Sequence, residues 1–469
     1  MIKLKTNDLL GLAAFICFFA WQILAGTALK YILLGALIGL CILYCAYKKT
    51  NFLSVWFFAL VFQKAMQRVI SSGILFQAVT YLDEVTEIVA IIIIIRALAK
   101  KQLKLSKYEV AIGVAFTIYF AFCTVSTIVN SYMGIFTSML DAFVCLKFMV
   151  FYFAGKSLIA SKALTLKKTY DILNVPCKQV SVILLILAIH DLILPPFFAK
   201  YDYRFFTNSL MLGFQHPAYL AIVCLTVICV LALNMRYDQS NLKYIFMMSV
   251  VTILTFRSKE MAAVLIILLL YIMFVKYKFQ GNALVLAPIA GLAIYYFSSD
   301  QFDKYFTVHD YTPMRLKLIQ DGVKIANQHF PFGSGFATFG TTVSYEYNSP
   351  FYQSLGYYSK LYIDQQVVAD AFWHGIFAES GWLGSAAFVI AVLLMTFDSI
   401  SKAKNHPYAG WCMLSIMLYS FIASIASTSF FNPAIAIMFI IYGIASEDTD
   451  ESFILNDTRH QIRSIKFKF

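Results

Sequence analysis

Long apolar runs alternate with short polar connections along most of the chain. A helix needs about 20 mostly apolar residues to cross a bilayer, so this alternation predicts about fourteen membrane helices. They fall near 8–26, 29–47, 51–67, 82–99, 108–129, 135–156, 179–197, 212–234, 242–256, 261–276, 282–298, 371–397, 408–427 and 431–446. The predictions at 51–67 and 242–256 are the weakest, because Gln63 and Lys64 interrupt the first and the second is short.

The distribution of Lys and Arg predicts the orientation of these helices. Cytoplasmic connections of membrane proteins carry an excess of basic residues. With the amino terminus in the cytoplasm, most of the 37 basic residues fall on the cytoplasmic side, together with the carboxyl terminus. The chain then divides into a first group of helices over 1–298, one large outer loop over 299–370, the last helices over 371–446 and a cytoplasmic tail over 447–469. We therefore expect an all-α polytopic membrane protein.

The composition limits the class of protein and of site. The chain is 60% hydrophobic and only 13% charged, which excludes an ordinary soluble protein. Its net charge of +12 lies mostly in cytoplasmic connections, so it indicates membrane anchoring and no nucleic-acid partner. The 9 cysteines show no CxxC or other metal-binding spacing, so we expect no metal, no disulfide and no cofactor.

A short polar segment, Thr255–Glu260, separates two long apolar runs. An ionisable side chain at bilayer depth costs about 2.5–3.5 kcal/mol on insertion scales. Arg257, Lys259 and Glu260 must therefore face water, a partner or a substrate. The segment is too short for a domain, so it predicts a hairpin between two membrane helices at the outer face.

The predicted outer loop contains a pattern of its own. Thr312-Pro313 offers a cap and a first-turn proline, and the residues over 314–326 have an amphipathic helical pattern. We expect this helix to lie on the membrane surface or against the helix bundle. It stops before Pro331, where Gly333 and Gly335 allow a tight turn and close approach of the backbone to a substrate.

Four segments together resemble the bacterial O-antigen polymerase and O-antigen ligase superfamily. They are Gly213-Phe214-Gln215-His216-Pro217-Ala218-Tyr219, the Thr255–Glu260 segment, Arg315 followed by Pro331-Phe332-Gly333-Ser334-Gly335, and Asp370-Ala371-Phe372-Trp373-His374-Gly375-Ile376-Phe377-Ala378-Glu379-Ser380-Gly381-Trp382-Leu383-Gly384. The resemblance covers about 200–390, whereas the N-terminal half matches only as generic membrane helices.

This resemblance implies a membrane-embedded glycosyltransferase similar to the GT-C type, without a metal, in the bacterial inner membrane with its active site facing the periplasm. Polymerases of this superfamily transfer a growing glycan from undecaprenyl diphosphate onto a new lipid-linked repeat unit, with a chain-length regulator protein as a partner. Ligases transfer the glycan onto lipid A-core instead. A flippase or transporter of lipid-linked oligosaccharides is the alternative from another class, although transporters generally show internal repeats.

The implied reaction requires cations for the diphosphate leaving group, and Arg is the best suited because it can grip phosphate with two N–H groups. We hypothesise that Arg257 and Arg315 clamp the diphosphate, with Lys259 as an auxiliary cation and Arg204 as a further substrate contact. The alternative for Arg257 is an anchor whose charge reaches the lipid headgroups. For Arg315 it is the solvated face of an amphipathic helix.

His216-Pro217 predicts a helix start near the outer face, where free backbone N–H groups favour an anionic ligand. A capping or packing histidine is the alternative.

The reaction also requires a partner for the acceptor hydroxyl. Where the ligases carry a histidine ahead of their Glu-x-Gly element, this chain carries Asp370, and His374 follows one helical turn later. We expect Asp370 or His374 to contact the acceptor hydroxyl. The departure from the ligase pattern favours the polymerase. Glu379 and Glu260 are expected to support the structure.

Overall fold

The computed structural model describes residues 5–204, 207–277, 307, 312–357 and 371–448. Almost all regular structure in these ranges is helical, beside one antiparallel hairpin of β1 (Tyr203–Arg204) and β2 (Thr207–Asn208). The helices are α1 (Thr6–Ile23), α2 (Leu29–Tyr47), α3 (Asn51–Val61), α4 (Gln63–Val69), α5 (Gly73–Thr80), α6 (Leu82–Ala99), α7 (Lys107–Asn130), α8 (Ile135–Ala160), α9 (Leu166–Ile193), α10 (Pro217–Asn234), α11 (Asn241–Ile253), α12 (Ser258–Leu270) with a π-helical turn (Tyr271–Lys276), α13 (Met314–Gln328), α14 (Thr342–Glu346), α15 (Pro350–Ser354), α16 (Trp373–Asn405), α17 (Pro407–Ser424), a 3-10 turn (Ser429–Phe431), α18 (Pro433–Ala436) and α19 (Met438–Ser446).

Eight helices within the described ranges are long and apolar enough to cross a membrane: α1, α2, α7, α8, α9, α10, α12 with its π turn, and α16. This is the architecture of a multi-pass membrane protein, and the all-α prediction is confirmed for these ranges. Large apolar side chains are exposed on the surface of the helix bundle; Ile32 of α2, for example, is 68% exposed. Such side chains are the surface that lipid tails cover.

Several predicted segments differ in detail from the helices that form. The segment at 51–67 is interrupted at Phe62, and the segment at 431–446 is divided between α18 and α19. Helix α9 begins at Leu166, well before the predicted 179, because Thr165 caps it by accepting the Lys168 N–H. Hydropathy does not reveal this polar first part. The segment predicted at 282–298 lies outside the described residues.

The structure contains both local structures that the sequence predicted outside the long apolar runs, a hairpin and an amphipathic helix. Helix α11 ends at Ile253 and α12 begins at Ser258, so the polar segment does form a hairpin between two apolar helices. The amphipathic helix is α13, and it packs against α16 of the bundle. Its start differs from the prediction, because Pro313 is the N-cap residue and no side chain caps the helix.

Glycines let the helices at the centre of the bundle approach each other closely. A Cβ on Gly155 of α8 would collide with the carbonyl oxygen of Ile440, and one on Gly443 of α19 would collide with that of Tyr152. Small residues at such positions increase van der Waals contact between membrane helices. Helix α16 packs along α7 and is kinked at Gly381, where φ is +62°.

Side-chain contacts define two ends of the bundle. His216, Arg257 and Trp373 lie at one end, which we call the Arg257 end, where the Trp373 indole N–H donates to Ser424 Oγ at 3.0 Å. The opposite end carries a cluster of ion pairs, in which Lys156 meets Glu447 and Arg236 meets Asp448. The Arg257 end is the predicted outer end, and the opposite end is the predicted cytoplasmic one.

Candidate functional site

Two helix starts meet at the Arg257 end. His216 is the N-cap residue of α10 and Arg257 is the N-cap residue of α12, and Arg257 Nη2 lies 2.9 Å from His216 Nε2. Each helix N-terminus presents free N–H groups and about half a positive charge. The contact therefore places a guanidinium group between two positive helix ends, in a geometry suited to an anion.

The hydrogen bonds of His216 leave a donor in excess at this point. His216 Nδ1 lies 3.1 Å from the backbone N–H of Ala218, which it caps, while Nε2 faces Arg257. A neutral imidazole has only one acceptor nitrogen, so it cannot accept from both. One of the two donors, the Ala218 N–H or the Arg257 guanidinium, is therefore left without a hydrogen bond to His216. The Arg257 Nε–H is also buried, and it donates a hydrogen bond to no group among the described residues.

The cations around His216 keep its ring neutral. Burial, together with the charges of Arg257, Lys259 and Arg204, lowers the pKa of His216 to about 4. Burial, followed by the charge of Arg204, also lowers the pKa of Arg257, whose guanidinium stays charged at any physiological pH. The site is therefore positive because of its Arg and Lys side chains and its helix ends.

Tyr201 supplies an aromatic face to the same group. The Arg257 Cζ lies 4.7 Å from the centre of the Tyr201 ring, which meets the His216 ring edge to face at 4.8 Å. The Tyr201 N–H donates to Ser209 O at 3.0 Å, and the Leu210 N–H donates to Leu254 O at 3.3 Å. These bonds fix the β1–β2 hairpin, which carries Arg204, over the start of α12.

Lys259 and Glu260 occupy the first turn of α12 behind Arg257. The Lys259 ammonium donates to Ala426 O at 3.0 Å, which links α12 to the end of α17. Glu260 is fully buried, with Oε1 3.8 Å from Lys259 Nζ. Of the predicted cations, the structure thus groups Arg257, Lys259 and Arg204 around His216.

The other predicted site residues lie on different elements. Arg315 is half-buried in the first turn of α13. His374 is fully buried, and its ring meets Phe339 edge to face at 5.6 Å. Its backbone packs tightly against α13, because a Cβ on Gly322 would lie 2.6 Å from the His374 carbonyl oxygen. Asp370 lies outside the described residues. The expected contact of Asp370 or His374 with an acceptor hydroxyl stays a prediction.

The loop from Gly333 to Thr341 is held against the bundle by a second cluster. Glu379 Oε1 accepts the N–H groups of Thr338 at 2.9 Å and Phe339 at 3.2 Å, and Asp141 Oδ2 accepts that of Ala337 at 2.8 Å. Gly333 and Gly335 are buried in this loop. A Cβ on Gly335 would lie 2.7 Å from Thr127 Cα of α7, so its lack of a side chain serves packing here. Substrate contact of the two glycines stays a prediction.

One group of described side chains could hold a metal ion. Ligand atoms of Asp141, Cys145 and Glu379 lie within 4.8 Å of one another, and all three residues are buried. Carboxylate and thiolate are ligands that zinc accepts. The spacing of residues could not reveal this group, because it joins α8 to α16. Its carboxylates also hold the Gly333–Thr341 loop, a structural role that requires no ion.

Sequence reasoning missed Tyr201, Asp141 and Lys147. Tyr201 had little signal beyond its position in a basic outer loop. Asp141 and Lys147 were detectable as charged residues inside the apolar segment predicted at 135–156.

No protein-family model matches the chain, and no curated protein matches it at a significant level.

Proposed function

We propose that this protein is a polysaccharide polymerase of the bacterial inner membrane. It transfers a growing glycan from undecaprenyl diphosphate onto a new lipid-linked repeat unit at the outer face, by a chemistry that requires no metal. In this proposal the chain has about fourteen membrane helices around a periplasmic site, as in membrane glycosyltransferases of the GT-C type.

The contact between Arg257 and His216 carries the proposal. Two of the four segments that resemble the O-antigen polymerases are distant in sequence, yet their most polar residues meet at 2.9 Å. Both cap helices at the same end of the bundle, so two positive helix ends, a guanidinium and Lys259 act on one location. An anionic leaving group such as a diphosphate satisfies this arrangement.

In the proposed reaction, the acceptor hydroxyl oxygen bonds to the anomeric carbon of the donor glycan. The bond from that carbon to the diphosphate oxygen breaks, and its electron pair leaves with the diphosphate. Arg257 stabilises the charge that develops on this oxygen, with Lys259 and Arg204 as supporting cations. Asp370 or His374 accepts the hydroxyl proton, and Arg315 provides a second grip on the diphosphate.

A deletion strain complemented with variants tests this function. Arg257→Ala should lower polymer synthesis about a hundredfold or more, because one stabilising donor at a developing anion contributes that much. Arg257→Lys keeps the charge but loses the two-pronged grip, so it should restore only part of the polymer. Lys104→Ala, which removes an exposed cation elsewhere, is the matched control and should leave a normal ladder.

The glycan of the deletion strain separates the competing functions. Loss of a polymerase leaves a single repeat unit on the acceptor. Loss of a ligase leaves long chains on the lipid carrier, and loss of a flippase traps repeat units on the cytoplasmic side. A normal ladder from Arg257→Ala at wild-type protein levels would contradict the role given to Arg257.

A further inference from the structure

A second group of charges lies far from the Arg257 site, between α6 and α8. Lys147 of α8 is fully buried and forms an ion pair with the Asp83 carboxylate. Its Nζ also lies 3.5 Å from Glu84 Oε1 and 3.9 Å from Glu87 Oε2. Three carboxylates thus surround one ammonium group. The proposed glycosyltransferase reaction uses none of these residues.

This group lies beside the middle of α8, where the first two turns of α6 bring the three carboxylates to Lys147. Lys147 is close to the midpoint of α8, which runs from Ile135 to Ala160. At about 1.5 Å per residue it is about 18–20 Å from either end of that helix. Charged side chains at such depth are costly and generally mark an ion pathway or a binding site.

Glu87 is the member of this group without a hydrogen bond. It is 0% exposed, and neither of its carboxylate oxygens accepts a hydrogen bond from the described residues. The Asp83 carboxylate, in contrast, is bonded to Lys147 and to the Gln63 amide N–H at 2.7 Å. A buried carboxylate in this state needs a positive ligand or a proton to offset its lost hydration.

The neighbouring helices are interrupted close to this group. Helix α3 gives way to α4 at Phe62, and α5 gives way to α6 at Tyr81. The Gln63 amide N–H donates to Val79 O at 2.8 Å and to Thr80 O at 3.0 Å, two carbonyl groups at the end of α5. Interrupted helices line the ion-binding sites of many secondary transporters.

The charges indicate the ligand. Among the described residues, the second cation that acts on this group is Lys64 of α4, through Asp83 and Glu84. With every group ionised, the three carboxylates outnumber the two ammonium groups by one negative charge. The ligand atoms are all oxygen, which suits a hard cation and not a soft one.

We propose that Asp83, Glu84, Glu87 and Lys147 form a buried site for one small monovalent cation, either Na⁺ or a proton, bound at Glu87. The cation neutralises the group and contacts the Glu87 carboxylate, whose oxygens accept no hydrogen bond from the described residues. This inference does not depend on the glycosyltransferase function, and its test uses no polymer.

The test measures the thermal unfolding midpoint of the full-length protein, purified in detergent or nanodiscs. NaCl is compared with choline chloride at equal ionic strength. If the occupant is Na⁺, saturating NaCl should raise the midpoint by about 2–4 °C, because a ligand that binds only the folded state stabilises it. Glu87→Gln should abolish this rise. The exposed Glu346→Gln, the matched control, should keep it.

The second arm varies the pH with choline as the only added cation. If the occupant is a proton, the midpoint should not respond to Na⁺, and it should fall as rising pH removes the proton from Glu87. The other charged groups that face Glu87 are Asp83, Glu84 and Lys147, with Lys64 behind them. Because they are present in both proteins, the difference between wild type and Glu87→Gln isolates the Glu87 contribution.

The proposal is overturned if wild type and Glu87→Gln respond identically to Na⁺ and to pH. Should Glu87→Gln fail to fold, Glu84→Gln replaces it, because Glu84 is 33% exposed at the edge of the group. This variant removes one of the negative charges near the cation, so it should weaken Na⁺ or proton binding about tenfold. An unchanged apparent affinity in Glu84→Gln would likewise contradict the proposal.

Discussion

Gly333 and Gly381 lie backbone against backbone where the Gly333–Thr341 loop meets the kink of α16. Both have positive φ, +82° and +62°. A Cβ on Gly381 would lie 2.5 Å from Gly333 N, and one on Gly333 would lie 2.7 Å from Glu379 O. The close packing of the loop against the kink therefore requires glycine at both positions, Gly333 and Gly381.

Gly333→Ala should destabilise the protein by about 2–4 kcal/mol, because it adds backbone collision to the strain of a positive φ. Gly356→Ala is the matched control. Gly356 also has a positive φ, +76°, but a Cβ there would meet nothing within 4 Å. Thermal unfolding of the two purified variants separates the two effects. Equal losses would show that collision with Glu379 and Gly381 contributes nothing.

Glu379→Ala should release the Gly333–Thr341 loop. The change leaves the buried N–H groups of Thr338 and Phe339 without their acceptor, at a cost of about 1–3 kcal/mol for each. Glu379→Gln keeps an acceptor oxygen and should lose less. Hydrogen exchange at the two amides should accelerate strongly in the alanine variant and only slightly in the glutamine variant. Unchanged exchange in both variants would contradict the loop-holding contact.

The protein should lose stability in acid through His216. Its folded-state pKa, about 4, lies below the ordinary value of about 6.5. The neutral ring therefore stabilises the folded state fully above pH ~6.5, and this contribution is lost as pH falls towards 4. His216→Asn keeps an N-cap side chain but does not titrate. Its unfolding midpoint should fall less between these pH values than that of wild type, and an equal fall would show that the His216 ring is not held neutral.

Tyr201→Leu should lower polymer synthesis more than Tyr201→Phe. Phenylalanine keeps the aromatic face under the Arg257 guanidinium, whereas leucine removes a cation–π contact of about 0.5–2 kcal/mol. The ladder of each complemented strain gives the measurement, with protein levels matched by immunoblot. Equal ladders from the two variants would show that the ring face does not position Arg257.

The sequence was most informative where one physical cost decides the outcome. The cost of charge in lipid predicted the hairpin at Arg257, and the length of apolar runs predicted the long spans. The amphipathic pattern predicted α13. These features depend on residues close together in the sequence and on the bilayer, so the pattern of apolar and polar residues is enough to predict them.

Features that join distant residues were not predictable in the same way. The sequence placed His216 and Arg257 at the same face, but their contact at 2.9 Å depends on how α10 packs beside α12. The pairing of Asp141 with Glu379 depends on the packing of whole helices. Lys147 is visible as a charge in an apolar run, but its carboxylate partners on α6 are not.

The ion pairs at the end opposite Arg257 have a practical consequence for protein production. Glu447 and Asp448 follow α19 directly and pair with Lys156 and Arg236. These two ion pairs connect the end of α19 to α8 and to the end of α10. An affinity tag or reporter that replaces the chain from Glu447 onward would remove both pairs, and Lys156 would retain its pair with Glu109 at 2.8 Å. Fusions for purification or topology mapping should therefore retain every residue through Asp448.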